Sequence, residues 1–336
     1  MKKYRIFIVN DYTWEEHIKV GIAAINDPLN THPNNRNAHA ARQSAIAEIS
    51  GIRPGDILFF NRMVSENHPP ELLGVFEATS KPYFDPKPLF PEAKYVRENL
   101  PFRLKFKCIN NYVNPIHIDE MWALRNKGKI WTIQQSRGDA VGVHACIGIS
   151  KNEGKLIEKL FKINNIIEGQ TIKFQPIDIE EKPLPLDKTT DSDGKLHYEA
   201  SLMALLLDDF AEEKHKELFG EYDDFIPFVP TGARKEIDIL LLKYNGEEIL
   251  WYQILELKRD CFTMKELQRL IEYEKWLIRN KAENPLQVYP VAIAFNFDDD
   301  VINFVKGRTA YKERQIRLIK YHFDKKENLL FLEEIK

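Results

Sequence analysis

Short apolar or alternating runs dominate the first half of the chain. YRIFIV (4–9), GDILFFN (55–61), LLGVFEA (72–78) and FRLKFKCI (102–109) place branched and aromatic residues where a strand would bury them. GVHACIGIS (142–150) reads as a further buried strand, so His144 and Cys146 belong to packing rather than thiol catalysis. Helical spacing governs a segment around 14–25, HAARQSAIAEIS (39–50) and NEGKLIEKLFKIN (152–164), which closes this half. NDPLNTHPNNRN (26–37) and the proline-rich stretch 81–101 interrupt regular structure. Many short strands with few helices predict a small mixed barrel.

The rhythm changes further on. EEKPLPLDKTTDSDGK (180–195) is polar, proline-containing and aperiodic, as an exposed connector is. Residues 1–165 are therefore expected to form one domain, 166–195 a linker and 196–336 a second domain. In the second domain, 196–218 predicts a helix, and 235–245 and 247–258 predict strands joined by the hairpin signal Asn245-Gly246. A helix over 262–282, a buried strand at 289–295, and a final helix and strands complete an α-β-β-α-β-α-β order. The fold class is α+β or α/β in two domains.

Composition adds boundaries. With 336 residues, 43% hydrophobic and 29% charged, the chain can build two cores. No 18-residue apolar run is present and the N-terminal apolar stretch is too short for a signal peptide, so neither a membrane span nor secretion is expected. Cys108, Cys146 and Cys261 form no CxxC pair; a disulfide framework or zinc ribbon is excluded, and a cytoplasmic setting fits. The net charge of −3 divides unevenly. Residues 1–165 carry 23 Lys+Arg against 17 Asp+Glu, a balance of +6, which leaves −9 for the remainder. One half suits a polyanion and the other collects carboxylates.

ILWYQILELK (249–258) raises the chemical question. A strand this apolar carries Glu256 and Lys258 on one face, with Leu257 opposite. Burying charge costs several kcal/mol per ion unless it is paired or bound to a metal, on the order of magnitude. The hairpin brings Asp238 beside them, and Glu199 stands on the preceding predicted helix. Asp238, Glu256 and the Leu257 carbonyl form a candidate oxygen set for Mg²⁺, or Mn²⁺ in its place. A metal there would activate water and neutralise charge growing on a phosphate, with Lys258 orienting the water or stabilising that charge.

EID (236–238) followed by ELK (256–258), with the upstream Glu199, resembles the PD-(D/E)XK nuclease superfamily, particularly its RecB-like members, over roughly 196–300. That resemblance implies a mixed central sheet, Mg²⁺-dependent phosphodiester hydrolysis and catalytic roles for Glu199, Asp238, Glu256 and Lys258. RecB-like members carry a Gln and a Tyr four apart on the next helix. Here Gln268 and Tyr273 stand five apart, a shift of about 100° on a helix. Arg269, four before Tyr273, is the alternative for the polar role.

Through GDILFFN, ELLGVFEATSKPYFD and KGKIWTIQQS, residues 1–165 resemble the EVE/YTH-like branch of the PUA-like fold. That resemblance implies a domain that flips a modified base into an aromatic pocket. Trp14, Phe60, Trp122 and Trp131 are candidate walls, Asn10, Asn61 and Gln134 candidate readers of the base edge, and Arg62, with Arg125 and Arg137, candidate phosphate contacts. Together the two resemblances imply a homodimeric, modification-dependent DNA endonuclease. The alternatives are a RecB-like repair nuclease acting on mismatched or branched DNA, and a reader of modified nucleic acid whose nuclease fold is inactive.

Overall fold

The computed structural model describes residues 2–31, 37–64, 69–90, 99–133, 144–165, 172–232, 235–310 and 315–335. The described residues up to Pro185 form one compact unit and those from Leu186 onward form another. Both mix helices with a sheet, so the chain is an α+β protein of two sheets.

The first unit runs β1 (Tyr4–Val9), α1 (Asp11–Val20), β2 (Ile22–Ile25), α2 (Pro28–Thr31), α3 (Ala38–Ser50), β3 (Ile57–Arg62), β4 (Glu71–Ala78), β5 (Tyr83–Phe84), β6 (Phe102–Cys108), β7 (Ile116–His117), α4 (Ile118–Asn126), β8 (Cys146–Ile149) and α5 (Lys151–Asn164). Its eight strands form one sheet ordered β2-β6-β4-β3-β1-β8, with β5 on β6 and β7 on β4. Among the described residues, only β1 and β3 pair in parallel. Helix α5 buries Ile157 and Phe161 against the sheet. Close approach requires glycine at Gly154, where a Cβ would stand 2.1 Å from the Tyr4 ring. The segment expected to be amphipathic around 14–25 divides into α1 and β2, because Gly21 ends the helix in a left-handed conformation (φ 69°).

The connector expected over 166–195 is not simply exposed. Its described residues 172–185 lie along the first unit: Lys182 exchanges backbone hydrogen bonds with Phe84, and the Gln175 N–H donates to the Lys19 carbonyl at 2.7 Å. The Phe174 ring packs edge-on against Phe106, and Ile177 and Ile179 cover a small core of Ile22, Leu89 and Leu100. Residues 186–195 belong to the second unit, where Thr190 bridges Leu196. A strap of this kind needs only every second side chain to touch the core, which a window-based reading of periodicity does not register.

The second unit contains α6 (Glu199–Ala211), α7 (Lys216–Phe219), β9 (Asp224–Gly232), β10 (Lys235–Asn245), β11 (Glu248–Phe262), α8 (Met264–Asn280), a 3₁₀ turn at Pro285–Gln287, β12 (Val288–Phe297), α9 (Asp299–Ala310), β13 (Arg317–Asp324) and β14 (Leu329–Glu334). The mixed sheet is ordered β14-β13-β12-β11-β10-β9, parallel only across β11-β12-β13. Two elements differ from expectation. The helix expected over 196–218 breaks between α6 and α7, where Glu213 and His215 take positive φ and Asp209 accepts from Lys214 and His215. Strand β9 was hidden by Pro227 and Pro230. They are tolerated because β9 is an edge strand with a partner on one side only.

Candidate active site

Strands β10 and β11 form a hairpin across Gly246 (φ 64°), in the register Ile239 with Leu255. One step further along that ladder sets Asp238 beside Glu256 on a shared face. The Asp238 side chain accepts the Leu257 N–H at 2.7 Å, so a carboxylate takes over where the backbone pairing ends. Leu257 is buried and pairs with Ile293 of β12. Glu256 is fully buried at the centre of the sheet.

Glu199, in the first turn of α6, reaches the same place. Its Oε1 accepts from Lys258 Nζ at 2.8 Å and its Oε2 from the Arg259 N–H at 3.3 Å. The Arg259 guanidinium donates to the His197 carbonyl at 2.6 Å, tying the start of α6 to β11. Thr263 caps α8 with Glu266 at N3, which fixes where that amphipathic helix crosses the sheet. From α8, Arg269 donates to Glu256 Oε1, and Tyr273, one turn later, is buried. Gln268 faces solvent. Of the two polar candidates on this helix, the structure brings Arg269 to the carboxylates and leaves Gln268 about 100° away around the helix axis.

The electrostatics follow from this crowding. Burial, then the Glu199 charge, pushes Asp238 up to about 6. Burial and then the Asp238 charge push Glu256 well above the ordinary carboxylate range. Burial also opposes a charged Lys258, but Glu199 and Asp238 outweigh it and hold its pKa above the usual value. Glu256 Oε2 is buried and accepts no hydrogen bond. Two carboxylates in each other's field, one with an orphaned oxygen, fit a hard divalent cation, which takes one or two carboxylates and completes its shell with water. Among the described residues, no group of three or more His, Cys, Asp or Glu side chains is arranged to hold a metal. Any ion here would therefore rest on the Asp238–Glu256 pair and on backbone or water oxygen.

The candidate reader residues are placed more diversely. Asn10 caps α1, accepting the Thr13 N–H at 2.8 Å. Phe60 is fully buried and packs against Phe76 and Phe106, so it is core rather than an open stacking wall. Arg62 is paired with Glu71, with Asp11 at 3.7 Å, and is not a free phosphate contact. Asn61, beside it on β3, is partly exposed. Trp14 is partly exposed and leans on Phe60 and Phe76, with ring centroids at 5.2 and 5.9 Å. Trp122 is partly exposed on α4 beneath the Arg125 guanidinium, 5.3 Å from the ring. Trp131 is partly exposed beyond α4 and outside any strand, its N–H held by Glu153. Gln134 and Arg137 lie outside the described residues. Sequence reading missed the organising role of Glu153, a buried carboxylate that also accepts from the Thr132 N–H and hydroxyl and from Ser150. Its signal was available as the capping box Ser150-x-x-Glu153.

No family model matches the sequence, and no curated protein matches it. Solved structures align with the N-terminal half. A hypothetical protein from Leishmania major is 14% identical with a TM-score of 0.33, covering 48% of this chain and 96% of its own. A Pseudomonas syringae protein is 14% identical with a TM-score of 0.33, covering 47% and 99%. Human THYN1, solved in complex with 5-methylcytosine-containing DNA, is 10% identical with a TM-score of 0.30, covering 48% and 98%. At these values the alignments assign neither a fold family nor a ligand to this chain. Among the described residues, no helix is long and apolar enough to cross a membrane.

Proposed function

We propose that the chain is a modification-dependent DNA endonuclease. A PUA-like first unit reads a modified base, and a PD-(D/E)XK second unit hydrolyses the phosphodiester with Mg²⁺. The observation that carries this reading is the convergence of Asp238, Glu256, Lys258 and Glu199 at the end of one hairpin, with a buried Glu256 oxygen left unbonded. Burying such a group is costly, and a strand end that served only the fold would not accumulate it.

In this reading Asp238 and Glu256 hold the divalent cation. When bound, that ion supplies Lewis acidity and a water of lowered pKa. Glu199 fixes the Lys258 ammonium beside the pair, where it meets the negative charge developing on the phosphate. Trp131, partly exposed and anchored through its backbone, is the leading stacking wall, and Trp14 the second. Cutting both strands needs two such sites, so the working form is a homodimer.

The deciding experiment digests matched DNAs, with and without base modifications, in Mg²⁺. Cleavage confined to modified DNA and abolished by Asp238→Asn supports the proposal. Equal cleavage of mismatched or branched unmodified DNA would favour a repair nuclease. The Arg269–Glu256 ion pair favours a second reading, a non-catalytic reader, because the pair neutralises one carboxylate without metal. Retained binding with no cleavage in any divalent cation would select it.

A further inference from the structure

Two arginines reach glutamates from or toward α8, and they do so differently. Arg308 of α9 meets Glu274 through both carboxylate oxygens, at 2.8 and 2.7 Å, with side-chain exposures of 10% and 4%. Both bonds come from the one Arg308 Nη2, which bridges the two carboxylate oxygens in an enclosed pair between α9 and α8. Arg269 meets only Oε1 of Glu256. Glu256 Oε2 and Arg269 Nε are both buried without a hydrogen-bond partner. The glutamate side chain is 1% exposed while the arginine side chain is 39% exposed. One partner is fixed in the sheet and the other sits at its rim, with its side chain partly open to solvent.

The neighbouring acids of α8 are engaged elsewhere. Glu266 is taken by Thr263, and Glu272 pairs with Lys235 at 2.5 Å. Lys258, the other cation near Glu256, is committed to Glu199. Arg269 is thus the cation that directly contacts the Glu256 carboxylate, and it does so through one of the carboxylate's two oxygens.

We infer that Arg269 is a displaceable counter-cation: it neutralises Glu256 in the metal-free protein and is released when a divalent cation is held by Asp238 and Glu256. The inference rests on the reading of that pair as metal ligands. A buried carboxylate without a countercharge is strongly destabilising and is driven to take up a proton, and the Arg269 guanidinium on Oε1 opposes that in the metal-free protein. A monodentate arginine at the rim supplies positive charge while leaving the second oxygen available. Arg269 and the ion then compete for one carboxylate, and the apparent metal affinity is set by the arginine as well as by the ligands.

The test measures Mn²⁺ binding to the full-length protein by calorimetry, without DNA. Arg269→Gln should bind Mn²⁺ at least about tenfold more tightly than wild type, whereas Arg269→Lys, which keeps a positive charge, should stay within about threefold. Asp238→Asn should abolish binding in either background. Mn²⁺ should also raise the melting temperature of Arg269→Gln more than that of wild type. Equal or weaker affinity in Arg269→Gln, with binding still lost in Asp238→Asn, overturns this inference and leaves the metal site standing. Absence of any Asp238-dependent binding overturns both. If Arg269→Gln does not fold without metal, the Arg269 Nε–H resonance of wild type is followed during Mg²⁺ titration. It should move with the binding midpoint, and an unmoved resonance overturns the inference.

Discussion

At the scale of single residues, the carboxylate pair makes the sharpest predictions. Under the proposed function, Asp238→Asn and Glu256→Gln should each bring Mg²⁺-dependent cleavage to background without loss of DNA binding, measured on a modified duplex. Lys258→Ala should lower the rate by about 10²–10³-fold, the usual loss for one preorganised charge-stabilising donor. A pH effect also follows. Asp238 is raised from an ordinary 3.8 to about 6, chiefly by burial and then by Glu199, with Lys258 and Arg269 opposing. The native state therefore holds a proton that the unfolded chain has already lost, and stability falls as pH rises across that interval. Chelator-treated protein should lose chemical stability between about pH 4 and pH 6, and Asp238→Asn should flatten that slope. In the first unit, Trp131→Ala should cost about 1–3 kcal/mol of binding to modified DNA with little change in melting temperature. Trp14→Ala should also lower the melting temperature, because its ring supports Phe60 and Phe76. Equal losses on modified and unmodified DNA in Trp131→Ala would remove it from the pocket.

Among elements, the N-terminus of α5 and the strap over residues 172–185 are the most informative. Glu153 collects hydrogen bonds from Trp131, Thr132 and Ser150 in a buried position. Glu153→Ala leaves those donors unsatisfied and should destabilise the unit by about 2–4 kcal/mol, read from denaturant unfolding. The strap covers Phe106 and bonds to Phe84, Lys19 and the buried Asp85. A fragment ending at residue 165 should melt at least about 4–8 °C below one ending at 185, corresponding to about 2 kcal/mol at this size. The helix α8 was legible from its periodicity, but its rotation was not. One residue of register separates Gln268 in solvent from Arg269 on Glu256, and only packing of Leu267, Leu270 and Leu277 against the sheet settles that rotation.

For the molecule as a whole, covalent union of the two units should add what neither supplies alone. Under the proposed function, the first unit raises the local concentration of a weakly DNA-binding, acidic second unit at a marked site. Separate fragments 1–185 and 186–336, mixed at equal concentration, should lose selective cleavage of modified DNA at low protein concentration even where each folds. Recovery of full selectivity on mixing would show that tethering is not the device. The +6 balance of residues 1–165 is partly offset within the first unit, since the strap's Asp178 and Glu181 pair with Lys87 and Lys105. DNA binding by fragment 1–185 should still weaken with salt. Neutralising those two acids should steepen that slope, by up to about 0.9 in log K against log salt for each additional phosphate neutralised.

Local rules in the sequence determined much of this protein. Alternation and branched residues located β1, β3, β4, β6 and β10–β12, the Asn245-Gly246 turn located the hairpin, and a two-residue period put Glu256 and Lys258 on one face. These properties depend on neighbours a few positions apart, and a strand or turn states them directly. What only the tertiary structure decided involves residues distant in sequence. Edge position rescued the prolines of β9, and the strap gained as partners Phe84, 98 residues before Lys182, and Lys19 of α1. Burial converted Phe60 from a candidate wall into core, and Glu71 claimed Arg62. Glu199 reached Lys258 from 59 residues away, and Arg269 was turned onto Glu256 by the docking of a helix face. Which charge meets which is a property of packing, because an ion pair is defined by separation in space and by the water excluded around it.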